Sequence, residues 1–133
     1  MRVILTGASG QLGREWLDHA AEASPDAIEL HAFDSGRLDI TRPGTFDEIL
    51  GGLHADVWIN CAAYTAVDRA EDEPEAAMRV NAHAPGAIAR WCADRGVRLL
   101  HYSTDYVFPG LAEDRERYPG GYPEQARQAP VNV

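Results

Sequence analysis

The chain has 133 residues, 45% of them apolar and 25% charged, with twelve basic against twenty-one acidic side chains for a net charge of −9. That length holds one domain with a real core, and the composition excludes an intrinsically disordered chain and a membrane-span composition. The acidic balance argues against nucleic acid and anionic membrane as partners, since both need a cationic face, but it says nothing about small phosphates held by backbone N–H groups.

All twelve basic residues are arginine, and the sequence contains no lysine. Cys61 and Cys92 are too few and too unpatterned for a disulfide framework or a zinc ribbon, and read as two packed thiols. Met1 to Thr6 enters a strand pattern at once, without the apolar region of a secretion signal. No stretch approaches the roughly 18 apolar residues of a membrane span, so the cytoplasm is the expected compartment.

Short apolar runs alternate with helix-patterned stretches. Val3 to Thr6, stopped by Gly7, has the character of a central parallel strand covered on both faces. From Gln11 to Ala23, Leu12, Trp16, Leu17 and Ala20 recur at helical spacing, and Pro25 closes the segment. Ile28 to Phe33 reads as a second strand ending at the turn group Asp34-Ser35-Gly36, and Leu38-Asp39-Ile40 as a very short third. Thr41 or Thr45 caps a small helix carrying Phe46, Ile49 and Leu50, ended by Gly51-Gly52. Asp56 to Asn60 is another buried strand. A helical region from about Ala66 to Arg95 is interrupted by Pro74 and Pro85 and stopped by Gly96. Its opening, Asp68 to Glu73, reads as a solvated helix start rather than a metal site. Val97 to Tyr102 is the last strand, and Gly110 to Val133 reads as loop. Trp16, Trp58 and Trp91 sit in apolar stripes and are expected in the core. The alternation predicts an α/β fold, a Rossmann-like doubly wound parallel sheet of about five strands with helices on both faces. The nucleotide-binding part spans residues 1–109, and 110–133 form an irregular tail.

Thr6-Gly7-Ala8-Ser9-Gly10-Gln11-Leu12-Gly13 joins the first strand to the first helix with glycines spaced G-x-x-G-x-x-G. In such a loop Gly7 permits the turn, Gly10 lets a pyrophosphate approach the backbone, and Gly13 lets helix and strand pack closely. The helix N-terminus adds unpaired N–H groups and partial positive charge. The bland alternative is a structural turn, but the position at the first strand-to-helix junction favours a dinucleotide.

Ligands of open α/β sheets bind outside the carboxyl ends of the strands. Asp34, Asp39-Ile40, Asn60-Cys61-Ala62-Ala63-Tyr64 and Ser103-Thr104-Asp105 all follow predicted strands, so they share that rim. Small residues at Ala62 and Ala63 suit a flat cofactor. Asp34 favours NAD by accepting from the adenosine ribose, Arg37 favours NADP by pairing with a 2′-phosphate, and the sequence leaves the choice open. His83 and His101 read as structural.

Gly7-x-x-Gly10-x-x-Gly13, Leu38-Asp39-Ile40-Thr41, the run from Asn60 to Glu71, Asn81-Ala82 and the run from His101 to Phe108 together resemble the dTDP-4-dehydrorhamnose reductases of the extended short-chain dehydrogenase/reductases. The likeness covers Met1 to Phe108 and returns at Tyr122-Pro123-Glu124 and Ala129 to Val133. It implies NADPH- or NADH-dependent reduction of the 4-keto group of a nucleotide sugar, dTDP-4-dehydro-L-rhamnose. It assigns Gly7, Ser9, Gly10, Gln11, Leu12, Gly13, Asp34, Asp39, Ile40, Cys61, Ala62, Ala63, Tyr64, Thr65 and Ser103 to the cofactor side. Thr104, Asp105 and Tyr106 fall on the substrate side, with Thr104 bonding the substrate carbonyl oxygen as the catalytic hydroxyl. Glu15 matches a carboxylate that some members use for Mg²⁺ between subunits.

The family's proton donor is a Tyr-x-x-x-Lys pair placed directly after a segment like Pro130-Val131-Asn132-Val133, where this sequence stops. With no lysine, Tyr106, Tyr118 and Tyr122 lack the partner that would lower a phenol's pKa, and arginine is a poor stand-in. The expectation is a cofactor-binding half without its acid, inactive alone. The other class left open is a non-catalytic dinucleotide-binding module, like the regulatory subunit of methionine adenosyltransferase; the retained Ser103-Thr104-Asp105 favours the enzyme. With no further strand beside it, Val97 to Tyr102 is an apolar edge that favours self-association unless the tail from Gly110 covers it.

Overall fold

Two runs with polar residues only at their ends set the centre of the sheet. The computed structural model describes residues 1–23 and 27–130, and its elements in chain order are β1 (Arg2–Thr6), α1 (Gln11–Glu22), β2 (Glu29–Phe33), α2 (Phe46–Leu50), β3 (Val57–Asn60), α3 (Val67–Asp72), α4 (Pro74–Met78), α5 (Ala84–Arg95), β4 (Arg98–His101) and α6 (Asp114–Arg117). The strands are all parallel in the order β2-β1-β3-β4, with Thr6 opposite Asn60 and Asn60 opposite His101. Strand alternation then divides the core in two. Ile4 and Trp58 face Phe46 and Leu50 of α2 and Ile88, Trp91 and Cys92 of α5, while Val3, Leu5 and Ile59 lie under Trp16 of α1. Helices thus cover both faces, as expected of a doubly wound sheet. Among the described residues no helix is long and apolar enough to cross a membrane.

Trp58 is fully buried, with its ring 5.3 Å from Phe46 and 5.3 Å edge-on from Trp91. Its Nε1–H donates to Thr6 Oγ1 (3.0 Å), and Thr6 Oγ1 donates to Asn60 Oδ1 (2.8 Å). Asn60 Nδ2 lies 3.1 Å from His101 Nδ1; an amide nitrogen only donates, so the imidazole nitrogen accepts. One polar chain therefore ties the ends of β1, β3 and β4 together. Trp58 and Trp91 are core, as predicted, whereas Trp16 is half-buried and donates its indole N–H to the Tyr102 hydroxyl (3.0 Å). Cys92 is a buried thiol pushed up to about 11 by burial, and Cys61 is half-buried.

Three further expectations need correction. The described residues contain four strands rather than five, because Leu38-Asp39-Ile40 is not one. Leu38 and Ile40 are buried, but Asp39 Oδ1 accepts from the Thr41 N–H (2.9 Å) and hydroxyl (2.7 Å), a local turn that replaces sheet pairing. Pro74 does break the helical region, leaving Glu73 in a non-helical conformation ahead of it, but Pro85 does not. The run from Pro74 to Arg95 passes Pro85 through one wide turn of π-helix at Arg79–His83 and ends at Gly96, whose φ is +67°. The segment after Pro109 is not wholly irregular: α6 forms there, Phe108 and Tyr122 stack at 4.5 Å, and the Tyr122 hydroxyl donates to Asp114 (2.6 Å). Pro25 and Val131-Asn132-Val133 lie outside the described residues.

Among the described residues β4 has a single strand neighbour, and Leu100, opposite Ile59, is 41% exposed on the α1 side. The polar chain under the strand ends gives a direct test. Thr6→Val keeps the side-chain shape but strands the buried Trp58 N–H, and should lower the unfolding free energy by about 1–3 kcal/mol. Ile4→Val, a packing control in the same strand, should cost about 0.5–1.5 kcal/mol. Urea unfolding in which Thr6→Val matches wild type would show that the chain contributes nothing.

Candidate active site

The first strand-to-helix turn owes its shape to three glycines, each for a separate reason. Gly7 has φ +77°, and a Cβ there would fall 2.5 Å from Ala62 N and 2.6 Å from the Cys61 carbonyl carbon. Glycine alone lets the end of β1 meet the residues after β3 this closely. At Gly13 a Cβ would sit 2.2 Å from Gly7 O, so α1 rests directly on the turn. Gly10 differs: its N–H donates to Gly7 O (3.0 Å), and a Cβ would meet only Gly7 O, at 3.2 Å, with open space beyond. Gly10 also caps the twelve-residue α1 without a side-chain hydrogen bond, leaving the helix's first N–H groups for another acceptor.

A cleft of about 320 Å³ opens at these strand ends. Of the predicted residues, Gly7, Ser9, Gly10, Asp39, Ile40, Cys61, Ala62, Ala63 and Tyr64 line it. Gln11 and Leu12 begin α1 beside the cleft without lining it, and Gly13 is buried beneath. Asp34 is not in the lining: its Oδ1 accepts from the N–H groups of Gly36 (3.0 Å) and Arg37 (2.9 Å), and its neighbour Ser35 lines the cleft instead. Arg37 lies over the Phe33 ring and donates to Ala32 O (3.2 Å). Thr65, Ser103, Thr104, Asp105 and Tyr106 are not in the lining. Sequence reasoning missed Ser35, Leu38, Thr41 and Val80 as lining residues. Leu38 and Thr41 flank the Asp39-Ile40 pair and Ser35 sits in the turn group, signals that were present; Val80 carried none. A more open hollow of about 410 Å³, lined by Pro74, Glu75, Met78, Arg79 and His83, belongs to one helical run and touches no strand end.

The cleft's ionisable groups are set by local bonds. Hydrogen bonding from the Thr41 hydroxyl, chiefly, holds the Asp39 carboxyl below its usual range, helped by Arg42 and Arg79. Burial raises the Cys61 thiol, so it lines the cleft as a neutral group. The Tyr64 hydroxyl donates to Glu73 Oε2 (2.8 Å), which raises its pKa, and Glu73 in turn is kept anionic mainly by Arg69 (2.8 Å). Tyr64 is thus tied to a carboxylate and is not poised as an acid. Tyr122 is raised in the same way by Asp114.

Thr104 caps the 3₁₀ turn Asp105–Val107: its Oγ1 accepts from Tyr106 N (3.2 Å) and donates to Asp105 Oδ1 (3.3 Å). Tyr106 is 56% exposed beside it. His101 accepts from Asn60 Nδ2, and His83 lies exposed at the end of the π turn, outside the lining of the cleft at the strand ends. Glu15 is exposed on α1, and the described residues contain no group of three or more His, Cys, Asp or Glu side chains able to hold a metal ion, so the Mg²⁺ expectation finds no support.

Comparison with known proteins agrees with this architecture. The chain is 41% identical over 132 residues to a dTDP-4-dehydrorhamnose reductase of Mycolicibacterium smegmatis, covering 99% of this chain and 37% of that relative. It is 48% identical over 109 residues to the dTDP-4-dehydrorhamnose reductase of Mycobacterium tuberculosis H37Rv, covering 82% of this chain and 34% of the relative. It therefore spans little more than a third of either relative's length. Among solved structures, a Bacillus anthracis dTDP-4-dehydrorhamnose reductase in complex with NADP superposes with a TM-score of 0.86 at 37% identity, over 98% of this chain and 43% of the other. The profile of the RmlD substrate binding domain matches residues 1–133. With sequence, fold and a profile match over residues 1–133 in agreement, the chain belongs to the RmlD substrate binding domain family.

Proposed function

We propose that these residues form the dinucleotide-binding part of a dTDP-4-dehydrorhamnose reductase, taking NADPH or NADH in the cleft beside Gly7 and Ala62. The observation that carries this is the cradle at Gly10, which lines the cleft at the start of α1 and where an added Cβ would meet nothing but Gly7 O, at 3.2 Å. A diphosphate fits that space chemically, since the N-terminus of α1 offers N–H donors and partial positive charge to an anion. Gln11 and Leu12 supply the first of those N–H groups, and Ser9 adds a hydroxyl at the wall.

The remaining cleft residues suit the rest of such a ligand. Asp39 is an anionic acceptor suited to an exocyclic amine, and Ile40 offers an apolar edge beside it. Ala62 and Ala63 leave room for a flat ring, with Tyr64 closing that side. At the end of β2, the Asp34 carboxylate is engaged by its own turn and Arg37 retains further N–H donors, an arrangement compatible with a 2′-phosphate. The relative solved with NADP supports testing NADPH first.

When bound, the reduced dinucleotide supplies the hydride for a carbonyl carbon. The chain's own contribution at the substrate side is Thr104, whose hydroxyl we assign to the substrate's carbonyl oxygen, with Ser103, Asp105 and Tyr106 around it. Charge building on that oxygen needs a positioned acid. No lysine stands in these residues to activate a tyrosine, and Tyr64 is bound to Glu73.

Three outcomes test the reading. Gly10→Ala should weaken NADPH binding about tenfold or more while changing stability by about 1 kcal/mol at most, because its methyl enters the cleft and presses on a single packed atom, Gly7 O. Fluorescence titration giving wild-type affinity for Gly10→Ala would refute the cradle. In a coupled assay with the 4-keto nucleotide sugar, the 133 residues alone should show negligible oxidation of NADPH, since a missing acid costs about 10²–10⁴ in rate; clear turnover would contradict the assignment of chemistry. Finally, β4 and the exposed Leu100 should drive concentration-dependent self-association that Leu100→Lys reduces. A monomer at every concentration in sedimentation would remove that partner.

A further inference from the structure

We infer that Trp16 is a positioning residue for the Thr104 hydroxyl, tying the segment after β4 to the helix that carries the dinucleotide cradle. The inference rests on the reading above and begins with what holds that segment in place. Strand pairing ends at His101, opposite Asn60. Beyond it the bonds of the Thr104 turn run inward. Thr104 Oγ1 accepts from Tyr106 N–H (3.2 Å) and donates to Asp105 Oδ1 (3.3 Å). Val107 N–H donates to Thr104 O (3.3 Å), and Phe108 N–H to Asp105 O (3.0 Å). These bonds shape the turn without placing it relative to the sheet. The loop that follows closes on itself as well, through Ala129 N–H to Val107 O (2.9 Å) and the Phe108 ring stacked on Tyr122.

Placement comes from the residue in front of the turn. Tyr102 stands one residue beyond β4, and its hydroxyl accepts the Trp16 indole N–H at 3.0 Å, from 86 residues away in sequence. Trp16 is itself fixed, since it packs against Val3, Leu5 and Ile59 in the sheet. Its helix begins at Gln11, directly after Gly10. Six residues of α-helix rise about 9 Å. One rigid element therefore holds the diphosphate end of the coenzyme at its tip and the tether of the substrate-side hydroxyl on its flank. Reacting atoms must come within about 3–3.5 Å in the right orientation, and a displacement of about 1 Å is costly. A hydroxyl that bonds the carbonyl oxygen is best set from the same helix that sets the hydride carrier. Tyr102 is 40% exposed, so water is available to its hydroxyl and the bond contributes little to stability. Its consequence is where the next residues stand.

Two variants and two readouts test this. Trp16→Phe and Tyr102→Phe remove the bond from opposite ends and keep an aromatic ring. In the isotope-labelled chain either variant should displace the Thr104 and Tyr106 amide resonances, and the double variant should displace them no further than a single one does. The 4-keto nucleotide sugar, titrated while the Thr104 amide is followed, should saturate at about fivefold higher concentration in each variant. NADPH affinity should stay within about twofold of wild type, and the melting midpoint close to it. Unmoved Thr104 and Tyr106 resonances, or additive effects in the double variant, overturn the inference. Wild-type saturation by the sugar overturns it too and leaves Trp16 a packing residue, whatever the midpoint does. Should Trp16→Phe fail to fold, Tyr102→Phe decides by its own shifts and saturation. If the sugar gives no saturable shift at Thr104 in the unaltered chain, the substrate assignment of Thr104 falls and the positioning role falls with it, a result distinct from normal saturation by the variants.

Discussion

The contact between Gly7 and Ala62 governs the arrangement of the whole strand-end surface. A side chain of any size at position 7 would meet the backbone of Cys61 and Ala62 at less than 3 Å. Without that contact the glycine turn and the segment after β3 would stand apart, and no cleft would form between them. Gly13 repeats the constraint from the other side by seating α1 on the carbonyl of Gly7. Both glycines are consumed by packing, which leaves Gly10 as the one whose missing side chain opens onto the cleft. The division of labour follows from where a methyl group would go, not from the spacing of the letters.

Beneath that surface lies a polar chain that joins the three strand ends supporting it. Trp58, Thr6, Asn60 and His101 satisfy one another, and no buried side-chain polar atom among the described residues is without a partner. Buried polar groups of this kind hold a register firmly because any slip would leave one of them unpaired. Asn60 also links core and cleft, since the oxygen that accepts from Thr6 lies within reach of the Ala62 N–H. Stability and site geometry therefore share an atom.

Much of this was legible in the sequence. The apolar runs at Val3 to Thr6 and Asp56 to Asn60 have no polar face to offer water, so they marked the centre of a parallel sheet covered on both sides. The glycine pattern fell at the first strand-to-helix junction, where its physics has a clear use. Other features were hidden for identifiable reasons. Leu38-Asp39-Ile40 has the alternation of a strand, but the reach of Asp39 back to Thr41 is a local side-chain bond that periodicity does not register. Pro85 reads as a helix breaker, yet a helix can absorb it by widening one turn. The bond from Trp16 to Tyr102 spans 86 residues, so no local pattern foretells it. Thr104 carries the motif of a substrate-facing hydroxyl, and in this structure it caps a short turn, a bond that the motif alone does not reveal.

The central claim is that one nucleotide cleft lies between the glycine turn and the segment after β3. Backbone amide resonances of an isotope-labelled sample, followed as NADPH is added, test it most directly. The account predicts saturable shifts confined chiefly to Ser9 to Gly13, Asp39 to Thr41 and Ala62 to Thr65. Saturable shifts centred instead on Glu75 to His83 around the larger hollow, or no shifts at millimolar NADPH, would contradict it.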